Sequence, residues 1–357
     1  MIQLRYPWVL LALGQLVCSF AVIPRHQPDR SENLGVRKEW GEMLPKERIG
    51  YTNAVLCLQN LPNQVPTAEY PGVRSRFDDF VATHINYTLH THYSGLFLPW
   101  HRRFIWLWER ALREECGYQG YLPYWDWPLW ADNLAASPLF DGSETSISGD
   151  GEYNPGEQNM SGGDVTLLRG SGGGCAKSGP FKDMKVHMGP FPGSLTSTTE
   201  IPAPRFEYNP RCLNRSLNDF VSSRYTNSTL VSTLMKASKI ADFQMVLDHW
   251  PPREDGVLGL HGGGHFSIGS TLQDLFGSSQ DPAFFLHHSQ IDRLWAKWQD
   301  AGANRRNALN GTSTIMNPPG ADLVTLNTMM EFGYLDSPRP VHEVMSPLAN
   351  GFSYVYT

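Results

Sequence analysis

The sequence predicts a mainly α fold with little β and long irregular connections. Two observations carry this expectation. Apolar residues recur at intervals of three and four in several separate segments, the mark of helices that bury one face. Between and after these segments, residues 141–210 and 302–357 are rich in Gly, Ser, Pro and Asn and keep no hydrophobic period. Neither an internal repeat nor a coiled-coil heptad is visible.

Taken in order, residues 1–21 read as a secretory signal peptide. Arg5 supplies the positive start, Trp8–Val17 the apolar run, and Ser19-Phe20-Ala21 a small-x-small cleavage site. The run is too short for a comfortable transmembrane helix. Residues 22–357 then form a single domain, opening with a polar arm over 22–45. In Lys38–Leu58, Pro45 separates two helical patterns, and Ile49, Asn53, Leu56 and Asn60 are spaced along one helix face.

Pro71–Tyr93 places Val73, Phe77, Phe80, Val81 and His84 on a second helix. Pro99 breaks the chain, and a third helix over Trp100–Cys116 turns His101, Phe104, Ile105, Trp108 and Leu112 inward. Tyr121–Trp130 is too rich in proline and rings for regular helix and reads as an aromatic wall. Residues 141–210 form a loop-rich insertion. Helical patterning returns at Leu213–Val221, Thr229–Lys239 and Asp242–Leu247, and again in Asp281–Asp300. There Asp281 serves as N-cap, Pro282 as the first helical residue, and Phe284, His288, Ile291, Trp295 and Trp298 share the core-facing stripe.

A net charge of −6 gives no electrostatic footprint for nucleic acid or an anionic membrane. Cleavage after Ala21 leaves Cys57, Cys116, Cys175 and Cys212, an even set suited to two disulfides in an oxidising compartment. Order along the chain favours Cys57–Cys116 and Cys175–Cys212. Sequons at Asn86, Asn159, Asn214, Asn227 and Asn310 fit a secreted, extracellular glycoprotein.

The chemistry lies in the histidines. The chain has 12, and eight fall in three stretches: His84, His90, His92 and His101; His261 and His265; His287 and His288. In Leu260–His265, LHGGGH, the two imidazoles stand at i and i+4, on one face of a helix. Three glycines inside a helix cost up to ~1 kcal/mol each. Close approach of another backbone or of a ligand would account for them. Imidazole triads without thiolates suit copper, zinc, iron or nickel, and two helix-borne triads point to a pair of copper ions sharing one dioxygen. A single triad plus water would instead suit a zinc hydrolase built on His261, His265 and His288.

The stretches HRRFIWLWERALR from His101, HGGGH from His261 and DPAFFLHHSQIDRLWAKW from Asp281 resemble the two copper-binding signatures of the tyrosinase, catechol oxidase and haemocyanin superfamily. The resemblance runs from about Arg37 to Tyr354-Val355-Tyr356, which is similar to the Tyr-x-Tyr element closing that family's core domain. The chain looks most like the short secreted fungal polyphenol oxidases without a C-terminal shielding domain. The resemblance implies a central four-helix bundle holding a dinuclear type 3 copper site. It assigns one ion to His84, His92 and His101 and the other to His261, His265 and His288, leaving His287 a supporting role.

Where many fungal and plant relatives carry a cysteine crosslinked to the second ligand, this chain has His90, so that thioether is not expected. Phe284 resembles the ring near the bound phenol. Asp292, one turn past His288, is the expected hydrogen-bond partner of that ligand, with Arg293 locking Asp292 or a neighbour such as Glu109. Gly262 stands where family tyrosinases often have asparagine, which together with an upstream glutamate (here Glu254) orients a water as base.

The resemblance therefore implies a copper oxidase acting with dioxygen on small phenols. Oxidation of o-diphenols to o-quinones is expected as the main activity, monophenol hydroxylation as weak, and the state as monomer or weak oligomer. A full tyrosinase, an o-aminophenol oxidase and a haemocyanin-like oxygen carrier use the same ligand set and stand as alternatives.

Overall fold

The computed structural model describes residues 34–162, 165–191, 200–202, 205–249 and 257–357. The signal peptide and Glu254 lie outside them. Helices α1 (Pro45–Asn60), α2 (Arg76–Thr91), α3 (Phe97–Glu114), α4 (Asp219–Tyr225), α5 (Ser228–Met235), α6 (Ile240–Asp248), α7 (Leu260–Ile268), α8 (Ser270–Gln273) and α9 (Ala283–Asp300) dominate the chain. The strands described are two to four residues long and form two-stranded pairs only. In the centre, α3 packs on α2 and α9, and α9 packs on α7. These four helices carry all of the clustered histidines except His92, which is the C-cap of α2. No helix of the described residues is long and apolar enough to cross a membrane.

Local chemistry explains where these helices start. Ser75 caps α2 by accepting from the Asp78 amide, and the Asp78 carboxylate accepts in return from the Ser75 amide. Pro99 does not break the chain. Helix α3 begins at Phe97, so the proline sits in the first turn, where a missing N–H costs no intrahelical bond. Helix α9 begins at Ala283, whose amide donates to the Asp281 carboxylate at 2.9 Å. That carboxylate is itself gripped by Arg215 at 2.7 and 2.8 Å, both side chains fully buried.

Two other expectations fail. The buried face of α1 is Tyr51, Ala54, Val55 and Leu58, while Ile49, Asn53 and Asn60 point outward. The tyrosine and valine fill the core better than the polar stripe chosen by spacing. Residues 213–217 are extended rather than helical, because Leu213, Arg215 and Ser216 bond by their amides to Met184, Gly174 and Ile268. The insertion carries short hairpins, such as Met160–Gly162 with Val165–Leu167, and is tied down by the Cys175–Cys212 disulfide. The other disulfide joins Cys57 of α1 to Cys116 just past α3. Of the sequon asparagines, Asn159 is exposed, whereas the Asn227 amide caps α5 and bonds back to Ser223 and Arg224.

Strand Tyr354–Tyr356 pairs in parallel with Gly35–Arg37 and closes the bundle from outside. Its two tyrosine hydroxyls each donate to Asp292 at 2.6 Å, and Arg37 and Arg102 bond the same carboxylate. Arg37 also bonds Glu109 at 2.9 Å and lies over the Tyr354 ring.

Candidate metal centre

The histidines converge into two buried groups: His84, His92 and His101, and His261, His265, His287 and His288. Within each group one ligand atom per residue lies within 4.8 Å of all the others. The two groups abut, since the His101 and His288 rings stack at 4.4 Å between centroids. His90 stays out of the centre: it is exposed and faces the Ser313 carbonyl.

Five of the seven imidazoles are aimed through a bond to the far ring nitrogen. The Nδ1 atoms of His92 and His101 face the carbonyls one turn back, Thr88 at 3.0 Å and Phe97 at 2.8 Å. His84 Nδ1 meets the Phe276 carbonyl at 2.9 Å, and His265 Nδ1 meets that of Leu272 at 2.7 Å. His261 Nδ1 pairs with the Asp248 carboxylate at 2.8 Å. Such bonds fix tautomer and ring orientation and leave Nε2 with its lone pair free, as a metal ligand requires. The buried Nε2 atoms of His84 and His101, and both ring nitrogens of His288, have no hydrogen-bond partner. Buried polar atoms left this way are costly unless something binds them.

Electrostatics point the same way. Burial pushes the His84 imidazolium down to about 4, and burial reinforced by neighbouring histidines holds His92, His101, His265 and His288 well below the usual histidine range. The rings are therefore neutral at ordinary pH, the form that binds a metal. Two buried imidazole groups in an apolar shell fit two ions of the borderline-soft class that imidazole favours.

Two phenylalanines flank the centre. Phe284, one turn before His288, lies 4.1 Å from that ring and 4.9 Å from His84. Phe97, one turn before His101, lies 4.7 Å from it and 4.6 Å from His261. Each ring thus touches both groups. The sequence reading found Phe284 but missed Phe97, because starting the helix at Trp100 hid the i−4 relation that α3 shares with α9. Asp248 was also missed. It stands thirteen positions before His261 on another helix, and no local pattern links them. Trp100 and Trp125 are both buried, and Trp100 stacks on Phe104 and Phe332 behind the first group.

Two second-tier assignments need correcting. Asp292 does not reach His288, because its carboxylate is taken up by Arg37, Arg102, Tyr354 and Tyr356. Its place four residues on lies on the outer flank of α9, toward the closing strand. Arg293 does not lock it. It faces Asp126 at 3.4 Å and lies over the Tyr124 ring.

The glycines of α7 now have reasons. A Cβ on Gly263 would come within 2.6 Å of Tyr225 Cβ on α4, and one on Gly264 within 2.2 Å of the His287 ring. Gly262 is different: a Cβ there would meet only Leu258, at 3.6 Å. The least buried of these histidines are His265 and His261, at 8% and 5% exposure, on α7 beside half-buried Gly262 and Leu258.

Comparison with known proteins agrees with this arrangement. The common central domain of tyrosinase matches residues 74–301. Tyrosinase P of Aspergillus terreus is 52% identical over 334 residues, covering 92% of this chain and 93% of its own. N-acetyl-6-hydroxytryptophan oxidase ivoB of Emericella nidulans is 46% identical over 345 residues, covering 92% and 94%. A variant of the polyphenol oxidase of Thermothelomyces thermophila has a solved structure that superposes with a TM-score of 0.83 at 39% identity, covering 92% of this chain and 90% of that one. With both histidine groups lying on the fold that these proteins share, the chain belongs to the tyrosinase family of copper oxidoreductases.

Proposed function

We propose that this protein is a secreted o-diphenol oxidase, turning catechols into o-quinones with dioxygen and hydroxylating monophenols only weakly. The observation that carries the reading is the pair of abutting buried histidine groups, the least buried members of which stand beside Gly262. His84, His92 and His101 would hold one copper ion and His261, His265 and His288 the other. Bound there, the copper pair supplies the two-electron exchange between a diphenol and dioxygen.

The chain's own residues do the rest. Asp248 keeps the proton of His261 on Nδ1, so that Nε2 stays a ligand. Phe97 and Phe284 keep the sides of the centre apolar, and a flat ring would approach from the α7 side, where His261 and His265 are least buried. Gly262 brings no side-chain amide to position a basic water, which supports diphenol over monophenol chemistry. Two disulfides fit export to an oxidising compartment. The relative named for N-acetyl-6-hydroxytryptophan supports including hydroxyindoles among the substrates to be tried.

The test is oxygen uptake by copper-reconstituted protein with catechol, o-aminophenol, a 6-hydroxyindole, phenol and tyrosine in parallel, with quinone trapped by a thiol. Prompt uptake with catechol and a slow, lagging response to tyrosine is expected. Lag-free turnover of tyrosine at the catechol rate would overturn the diphenol reading. Copper loading without uptake on any substrate would point to an oxygen carrier.

A further inference from the structure

The second group holds one histidine more than a triad needs. His287 is fully buried, and its ring lies 5.6 Å from His261 at an interplanar angle of 10°, and 4.6 Å from His265 nearly edge-on. Trp127 backs it at 5.2 Å. The edge of the ring that bears the nitrogens is turned to the α7 backbone: a Cβ at Gly264 would fall 2.2 Å from Cε1, 2.4 Å from Nδ1 and 3.1 Å from Nε2. Neither ring nitrogen has a hydrogen-bond partner in the protein. One ring nitrogen also lies within 4.8 Å of a nitrogen on each of His261, His265 and His288, so a variant without a donor atom is what tells a wedge from a fourth ligand.

From this fit we propose that His287 is a positioning residue, a wedge seated in the Gly264 notch that sets the separation of α7 from α9, and so of His261 and His265 from His288. It is not a fourth ligand. The seat is made by shape, an aromatic ring against a missing Cβ, with the tryptophan closing the far side. An ångström of slippage between these helices would carry two ligands away from the third, and residues that orient ligands in this way commonly govern metal affinity by ~10–100-fold.

The proposal rests on the two-ion reading of the centre, and the test separates the two ideas. Metal-free protein is titrated with cobalt(II), whose d–d spectrum reports coordination number, against a chelating competitor. The ion that is lost on His261→Ala defines the second site. Failure of the parent protein to take up two equivalents would refute the dinuclear centre itself, and with it the wedge.

With two equivalents bound by the parent, His287→Ala is expected to weaken the second site at least tenfold and leave the first unchanged. Gly264→Ala should do the same alone but add little in the His287→Ala background, where the notch is already vacant. His287→Phe keeps a ring but offers no donor atom, and should retain affinity and a parent-like spectrum. Should the phenylalanine variant not fold, judged by loss of the first site as well, His287→Leu fills the notch without a donor atom and gives the same reading. Parent-like second-site affinity in His287→Ala, additive losses in the double variant, or a lower coordination number in the Phe or Leu variant would overturn the proposal.

Discussion

Replacing Asp292 by asparagine separates two accounts of that residue. As a partner of His288 it would govern metal binding. As the structure has it, it is the anion under which Arg37, Arg102 and two tyrosine hydroxyls meet. Burial alone would raise its carboxyl, but Arg102 and Arg37, helped by both hydroxyls, outweigh it and hold the group below its usual range. Removing one member of a buried ionic set leaves its partners uncompensated and costs about 3–5 kcal/mol. Asparagine keeps the shape and one acceptor, so the lower end applies, about 3 kcal/mol.

At about 2 °C per kcal/mol for a chain of this size, the melting midpoint should fall by roughly 6 °C. The assay is thermal unfolding by circular dichroism of metal-free protein, set beside metal titration of the same samples. A second-site affinity within threefold of the parent is expected. A midpoint within 1–2 °C of the parent, or a tenfold loss of second-site affinity without destabilisation, would refute the reasoning. The pH dependence has a definite sign. A carboxylate held below its unfolded value contributes stability present above about pH 4, and that stability drains away as pH falls toward the folded value.

Asp248→Asn should weaken the second metal site by about 10–100-fold and spare the first, measured by the same titration; equal affinity would dissociate Asp248 from His261 orientation. Burial raises the Glu39 carboxyl to about 7, outweighing bonds from the Gly41 and Glu42 amides. The folded state therefore holds that proton more tightly than the unfolded one, and stability declines between about pH 4.5 and 7 by up to ~3 kcal/mol. Glu39→Gln should flatten the decline, and an unchanged slope in urea unfolding at pH 5 and 8 would count against it. Ser75→Ala removes the N-cap of α2 and should cost about 1 kcal/mol in the same assay. Loss of Cys57–Cys116, whose sequence separation is 59, should cost about 4 kcal/mol of unfolding free energy.

Sequence was most informative where the chemistry is local. The spacing of His261 and His265 and the stripe holding Phe284 and His288 are both set within one or two helical turns. The stripe through Asp281–Asp300 could be drawn because a 3.6-residue period repeats along it five times. Contacts that join distant segments left no such trace. Asp248 meets His261, Phe276 meets His84 and Arg37 meets Asp292 only once the chain has folded, so Asp292 was assigned to the nearest histidine along its own helix. For α1 the period was present, but two faces competed, and packing of Tyr51 and Val55 decided between them. The glycines were legible as a demand for close approach, and only the fold could say by whom: Tyr225 on one side and His287 on the other.

The strand Tyr354–Tyr356 has a consequence for how the protein is made. The helix carrying His288 emerges from the ribosome more than fifty residues before the tyrosines that satisfy Asp292, and at 5–20 residues per second that is a wait of a few seconds or more. During it Asp292 sits between two arginines without its hydroxyl donors, and the bundle lacks its outer clasp. A transcript cut short after the last metal ligand would encode every histidine of the centre yet not the means to hold the helices closed. The clasp thus makes closure of the bundle depend on residues made well after the last of the clustered histidines.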